Sequence, residues 1–150
     1  MDRFDRAILR ALQEDGSATN TALSEIVNLS ASQCSRRRTA LEEKGIIEGY
    51  GARINARALG FGLRAITRIN LRSHGEEAAF AAFLNRHEEV RAAHSVSGDA
   101  DYVLEIQVRD LDAFADFIHT KLLAHPQVAQ VRSEIVLRTL KDERGLPLDL

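Results

Sequence analysis

Apolar positions follow two different periods along this 150-residue chain, and the change falls near residue 60. Before it the spacing is helical. Phe4, Ile8, Ala11 and Leu12 form one stripe that ends at Asp15-Gly16. Leu23, Ile26 and Val27 outline a second, short helix with Asn20 as its N-cap. Asn28 then falls in a turn, where its tolerance of left-handed backbone is useful. Ser30 and, three residues on, Gln33 make an S-x-x-Q capping box for a third helix, which Gly45 closes. The segment IIEGYGARIN is β-prone around glycines and reads as a small hairpin. Helix, helix, tight turn, helix and hairpin together predict a winged helix-turn-helix.

Beyond ARALGFG the period becomes two, with two helical interruptions. Leu63, Ala65, Ile69 and Leu71 share one strand face, and Arg64, Arg68 and Arg72 the other. GEEAAFAAFLNRH is helical and buries Phe80, Phe83 and Leu84. VRAAHSVSG and ADYVLEIQVRD are strands joined by a tight turn through Gly98-Asp99. Leu111, Phe114, Ala115, Ile118 and Leu122 trace a second helix, stopped before His125-Pro126. Val131, Ile135 and Leu137 alternate along a last strand. The order β-α-β-β-α-β predicts a ferredoxin-like plait, so the fold class is α+β. Its helices cover one sheet face and leave Arg64, Arg68, Glu105, Gln107, Arg132 and Glu134 on the other. The expected division is a DNA-binding module over 1–51, a linker strand over 52–62, the plait over 63–140 and a loosely ordered tail over 141–150.

Charge sharpens this division. The formal net charge is −2, yet residues 31–64 carry seven bases against three acids. A basic segment inside an acidic chain implies a polyanion site with a docking geometry. The block Arg36, Arg37, Arg38 lies in the third helix. On a wheel of ~100° per residue, Cys34 and Leu41 form its core face. Ser32, Arg36, Thr39, Ala40 and Glu43 fall opposite, with Gln33 and Ser35 beside them. Arg37 and Arg38 lie at the margins, where their stems cover apolar surface and their guanidinium groups reach outward. The expected DNA-binding set is therefore Ser32, Gln33, Ser35, Arg36, Arg37, Arg38 and Thr39. Its N-terminal residues face base edges, and the flanking arginines hold phosphates of double-stranded DNA.

Three stretches carry a family resemblance: MDRFDRAILRALQEDGSATNTALSEIVNLS, LEEKGIIEGYGARIN and HSVSGDADYVLEIQVRDLDAF. They resemble the leucine-responsive/asparagine-regulator (Lrp/AsnC) family of prokaryotic transcription factors, from Asp2 to about Lys141. The most specific parts are the opening around Asp2 and Asp5, the segment with Gly45, Gly49 and Tyr50, and the V-S-G-D-x-D-Y turn. The resemblance implies a DNA-binding helix-turn-helix and a plait that dimerises and assembles further, often to octamers. It also implies a small effector, usually an amino acid, held between plait domains. The chain departs from the family at Ala31, Gln33 and Arg38, near the reading end of the helix, and also at Ala56 and Ala100. The first three point to an unusual DNA preference.

The turn Val96–Tyr102 also suits an α-amino acid physically. Asp99 or Asp101 could accept from its ammonium group, and turn amides near Gly98 could donate to its carboxylate. S-G-D is equally ordinary hairpin chemistry. Ser95, Gly98, Asp99 and Asp101 are the effector candidates. The resemblance adds Glu134, Ile135 and Val136, whose alternative role is sheet packing or subunit contact.

The remaining chemistry is sparse. The lone Cys34 excludes an intrachain disulfide and reads as a small buried hydrophobe, not a redox sensor. His74, His87, His94, His119 and His125 show no metal spacing, and no phosphate-binding or nucleophile motif is present. No metal and no cofactor beyond the effector is expected. Without an apolar run of ~18 residues or a signal-peptide core, a cytoplasmic protein away from membranes is expected. The leading reading is an effector-responsive transcriptional regulator acting as a homodimer or higher even oligomer on imperfect palindromes. Two others compete: an enzyme like the sirohaem decarboxylases, which resemble the same two-module architecture, and a plait that senses metabolites without DNA. The capped basic helix argues against both.

Overall fold

The computed structural model describes residues 1–73, 75–143 and 145–148; His74, Arg144, Asp149 and Leu150 lie outside the described residues. The chain forms two compact units, Met1–Arg53 with Lys141–Leu150, and Ile54–Leu140.

The first unit contains α1 (Arg3–Glu14), α2 (Asn20–Val27) and α3 (Ala31–Glu43). Asp2 caps α1 by accepting from the Phe4 and Asp5 N–H groups, and Asp5 accepts from the Asp2 N–H in return. The cap of α2 is Thr19, one residue earlier than the expected Asn20, because the Thr19 hydroxyl accepts from the Ala22 N–H. Asn28 is left-handed (φ 54, ψ 47), which turns the chain sharply into α3. The Ser30–Gln33 box opens α3 with both of its hydrogen bonds formed. Ile8, Leu12, Leu23, Val27, Cys34 and Leu41 make the core. Ile26, expected to share it, faces outward instead. No β-ladder forms over residues 46–55, so the expected hairpin is an irregular extended segment. Its glycines remove side chains that would pair across a ladder.

The second unit is the βαββαβ plait. Its elements are β1 (Leu63–Leu71), α4 (Glu77–Asn85), β2 (Val90–Ser95), β3 (Tyr102–Val108), α5 (Leu111–Phe117) and β4 (Val128–Ile135). A π-helical turn, Ile118–Leu122, extends α5. The sheet order is β2-β3-β1-β4, and every pair is antiparallel. The core joins Ala65, Ile69, Leu104, Ile106 and Val128 to Phe80, Phe83, Phe114, Phe117 and Leu122. Thr67 is fully buried among them and shares a hydrogen bond with the Ser133 hydroxyl at 2.9 Å. His87 and His125 pack as rings against Phe83, at 4.7 and 4.4 Å between centroids.

Two expectations about the end of the chain are corrected. The last strand ends at Ile135, and Leu137 is 90% exposed, because the alternation continues after the ladder has stopped. The tail is not loose throughout. Leu146 pairs through its backbone with Gln13, and Leu148 packs on the first unit's core.

Candidate nucleic-acid interface and ligand turn

The capping box fixes where α3 begins and so which side chains lie at its N-terminal end. Ser32 and Gln33 are exposed there. Gln33 spends its carboxamide oxygen on the Ser30 N–H, and the Ser30 and Ser32 hydroxyls lie 3.1 Å apart. Arg36 and Thr39 are exposed one and two turns further on, while Ser35 is half-buried.

The three arginines divide sharply. Arg37 turns back to α1, its Nη1 lying 2.6 Å from Asp5 Oδ1 and 2.8 Å from Asp2 Oδ2. Arg38 donates from Nε to the Tyr50 hydroxyl (2.8 Å) and from Nη1 to the Ala18 carbonyl (3.1 Å). Its guanidinium carbon stands 4.4 Å from the Tyr50 ring centroid, and the Tyr50 hydroxyl donates to Glu42 at 2.7 Å. The expectation that both guanidinium groups reach outward is thus corrected. Acids at the start of α1 and the Tyr50 ring offer nearer partners than solvent. Arg36 has none of these contacts and points its charge out.

Electrostatics follows the same division. The Asp5 N–H and then Arg37 hold the Asp2 carboxyl below its ordinary value. The Asp5 and Asp2 carboxylates raise Arg37. Burial first, then the hydrogen bond to Glu42, raises the Tyr50 phenol. Asp2, Asp5 and Tyr50, noted in the sequence only as parts of the family resemblance, are the partners of Arg37 and Arg38. The arginine spacing on the wheel could have flagged Arg37 as needing a partner, but nothing local named it.

In the plait, the turn between β2 and β3 is bound to the end of β1. Asp101 donates its N–H to the Ile69 carbonyl (3.0 Å), and its Oδ2 accepts from the Leu71 N–H (2.7 Å). Asn70 donates to the Asp99 carbonyl at 2.7 Å, and Arg132 on β4 lies 3.2 Å from Asp99 Oδ2. Arg132 is the largest cause holding the Asp99 carboxyl below its ordinary value, and the group stays exposed. Gly98 has φ +123, a conformation that side chains strain to adopt. Ala100 is buried and Ser95 exposed.

Gly98, Asp99 and Asp101 therefore stand together, joined by Asn70 and Arg132, which the sequence reading did not single out for this turn. Glu134 pairs with Arg68 at 2.8 Å, and Arg68 also feels the Asp99 charge. Val136 is not brought to the turn. Its N–H meets the Arg64 carbonyl, whereas the turn meets Ile69 and Leu71. Five residues of strand separate the two places, about 17 Å. Among the described residues no group of three His, Cys, Asp or Glu is placed to hold a metal.

A capped helix-turn-helix with an outward arginine, followed by a separate plait, defines a two-module DNA-binding regulator. Residues 1–48 match a winged helix-turn-helix DNA-binding family, and residues 64–146 match the Lrp/AsnC ligand binding domain. The leucine-responsive regulatory protein of Rhizobium meliloti (strain 1021) is 41% identical over 95% of this chain and 92% of its own. A transcriptional regulator of Neisseria meningitidis, solved as a complex with L-Met, superposes with a TM-score of 0.97. It has 37% identity over 99% of this chain and 97% of its own. The feast or famine regulatory protein of M. tuberculosis, complexed with L-methionine, has a TM-score of 0.88, with 34% identity over 97% of each chain. The chain belongs to the Lrp/AsnC family of transcriptional regulators, and it is not an enzyme. No described helix is long and apolar enough to cross a membrane.

Proposed function

We propose that this regulator reads duplex DNA with the exposed face of α3 and adjusts its occupancy to an amino acid held at the Gly98–Asp101 turn. Arg36 is the base-reading residue, with Ser32, Gln33, Ser35 and Thr39 around it. Arg37 and Arg38 act one step back, holding α3 against α1 and the segment carrying Tyr50. The observation that carries this reading is the contrast between one outward guanidinium and two that are hydrogen-bonded inside the unit. One recognition helix spans only a few base pairs. Useful affinity therefore needs paired helices about 34 Å apart, on an imperfect palindrome. A homodimer or higher even oligomer, such as an octamer, supplies them, in the cytoplasm where chromosomal DNA is reached.

Two relatives carry methionine, and the turn here offers matching chemistry. Asp99 keeps an exposed carboxylate for an ammonium group, Gly98 presents backbone amides for a carboxylate, and Ser95 adds a hydroxyl. Glu134 supports the site through Arg68, which also feels the Asp99 charge, and Val136 serves the sheet edge. The effector is an apolar α-amino acid, methionine being the first to try. It shifts assembly only by binding one state more tightly than another. The test is calorimetry with L-methionine and L-leucine, followed by anisotropy titrations on operator fragments with and without ligand. Absence of heat for every apolar amino acid, with DNA binding intact, would remove the effector assignment and leave the DNA assignment standing.

A further inference from the structure

We infer that the C-terminal segment 145–148 is a strap that latches α1 and keeps the DNA-binding unit in its reading-competent form. Gln13, in the last turn of α1, commits both ends of its carboxamide to one residue. Its Nε2 donates to the Leu146 carbonyl at 3.1 Å, and its Oε1 accepts from the Leu146 N–H at 2.6 Å. This two-way pairing imitates a strand partner, so the register of the strap is fixed. Gly145 is needed for the approach, since a Cβ there would overlap that same carboxamide. That carboxamide is the far end of a flexible side chain, so it would shift, and its pairing with Leu146 would loosen.

The residues that follow are suited to the task. Pro147 fixes its own φ and restricts Leu146 to extended backbone, so little freedom is lost on docking. Leu148 then packs against the cluster that holds Ile8, Leu12 and Leu23. Leu146 contributes backbone, and its side chain stays outside. The strap holds one end of α1, and at the other end Asp2 and Asp5 grip Arg37 of the recognition helix. Releasing the strap frees the helix that positions α3.

The inference holds whether or not the turn binds an amino acid, and its test uses no effector. Hydrogen exchange would be followed by mass spectrometry on the full chain for wild type, Gly145→Ala and Gln13→Ala. Gln13→Ala retains a good helix former while deleting both hydrogen bonds. Exchange of α1 amides should speed by about fivefold or more in both variants, while β3 amides keep wild-type rates. Operator affinity should fall severalfold in the same two proteins. Unchanged α1 exchange in both variants would overturn the strap. Equal acceleration of α1 and β3 would overturn it too, because the strap belongs to the first unit alone.

Discussion

Arg37 and Asp5, 32 residues apart, are joined by a 2.6 Å ion pair that ties the recognition helix to the first helix. Arg37, expected to hold phosphates, is therefore part of the frame of the first unit, and its neighbour Arg36 is exposed.

Arg36→Ala should cost about 1–3 kcal/mol of specific DNA binding and relax preference at one or two base pairs, with unfolding unchanged. Arg37→Ala should instead lower stability by about 1 kcal/mol, the range of a partly exposed ion-pair network. Urea unfolding and anisotropy titrations at several salt concentrations would separate the two. Equal losses of DNA affinity without loss of stability would refute the division.

Acid should loosen the first unit through Asp2. Its folded pKa lies below the ordinary value of 3.8, first because of the Asp5 N–H and then because of Arg37. The stabilisation is therefore fully present above that value and is lost as the pH falls through the lowered folded pKa. Asp2→Asn should flatten the fall in stability below about pH 4. Thermal unfolding of both proteins across pH 2–6 would show it as converging curves at the acid end.

Tyr50→Phe should remove the hydroxyl that accepts from Arg38 and donates to Glu42. A loss of about 0.5–1.5 kcal/mol is expected, since the ring still lies under the guanidinium. Tyr50→Ala should cost more because that stacking goes too. Denaturant midpoints of the two variants would rank them.

Asp99 and Asp101 should fail differently. Asp99→Ala removes the exposed carboxylate and should abolish methionine binding by calorimetry with little change in stability. Asp101→Ala strands the Leu71 N–H and should destabilise the plait by about 1–3 kcal/mol. Reversal of these two phenotypes would move the ammonium site from Asp99 to Asp101.

Local chemistry was the part legible in the sequence. Ser30 and Gln33 announce a helix start because cap and partner sit three residues apart, and Asn28 announces its turn through its own backbone tolerance. The plait order followed from periodicity in the same way. What escaped needed partners far along the chain. Nothing near Arg37 names Asp2, and nothing near Gln13 names Leu146. Val136 is an effector candidate through the resemblance alone, and the register of β4 sets it at the Arg64 end of β1. Leu137 keeps the alternation of a strand although the last paired residue of β4 is Ile135, and its side chain is left exposed.

The pairing of Gln13 with Leu146 sets an order on biogenesis. Ribosomes deliver the three N-terminal helices first, and domains generally begin to fold as they emerge. Leu146 is delivered only after the whole plait, so the nascent helix-turn-helix exists for a time with α1 unlatched. At about 5–20 residues per second that interval is on the order of ten seconds. The helix-turn-helix would thus stay unlatched until the strap reaches it, after the plait has been made.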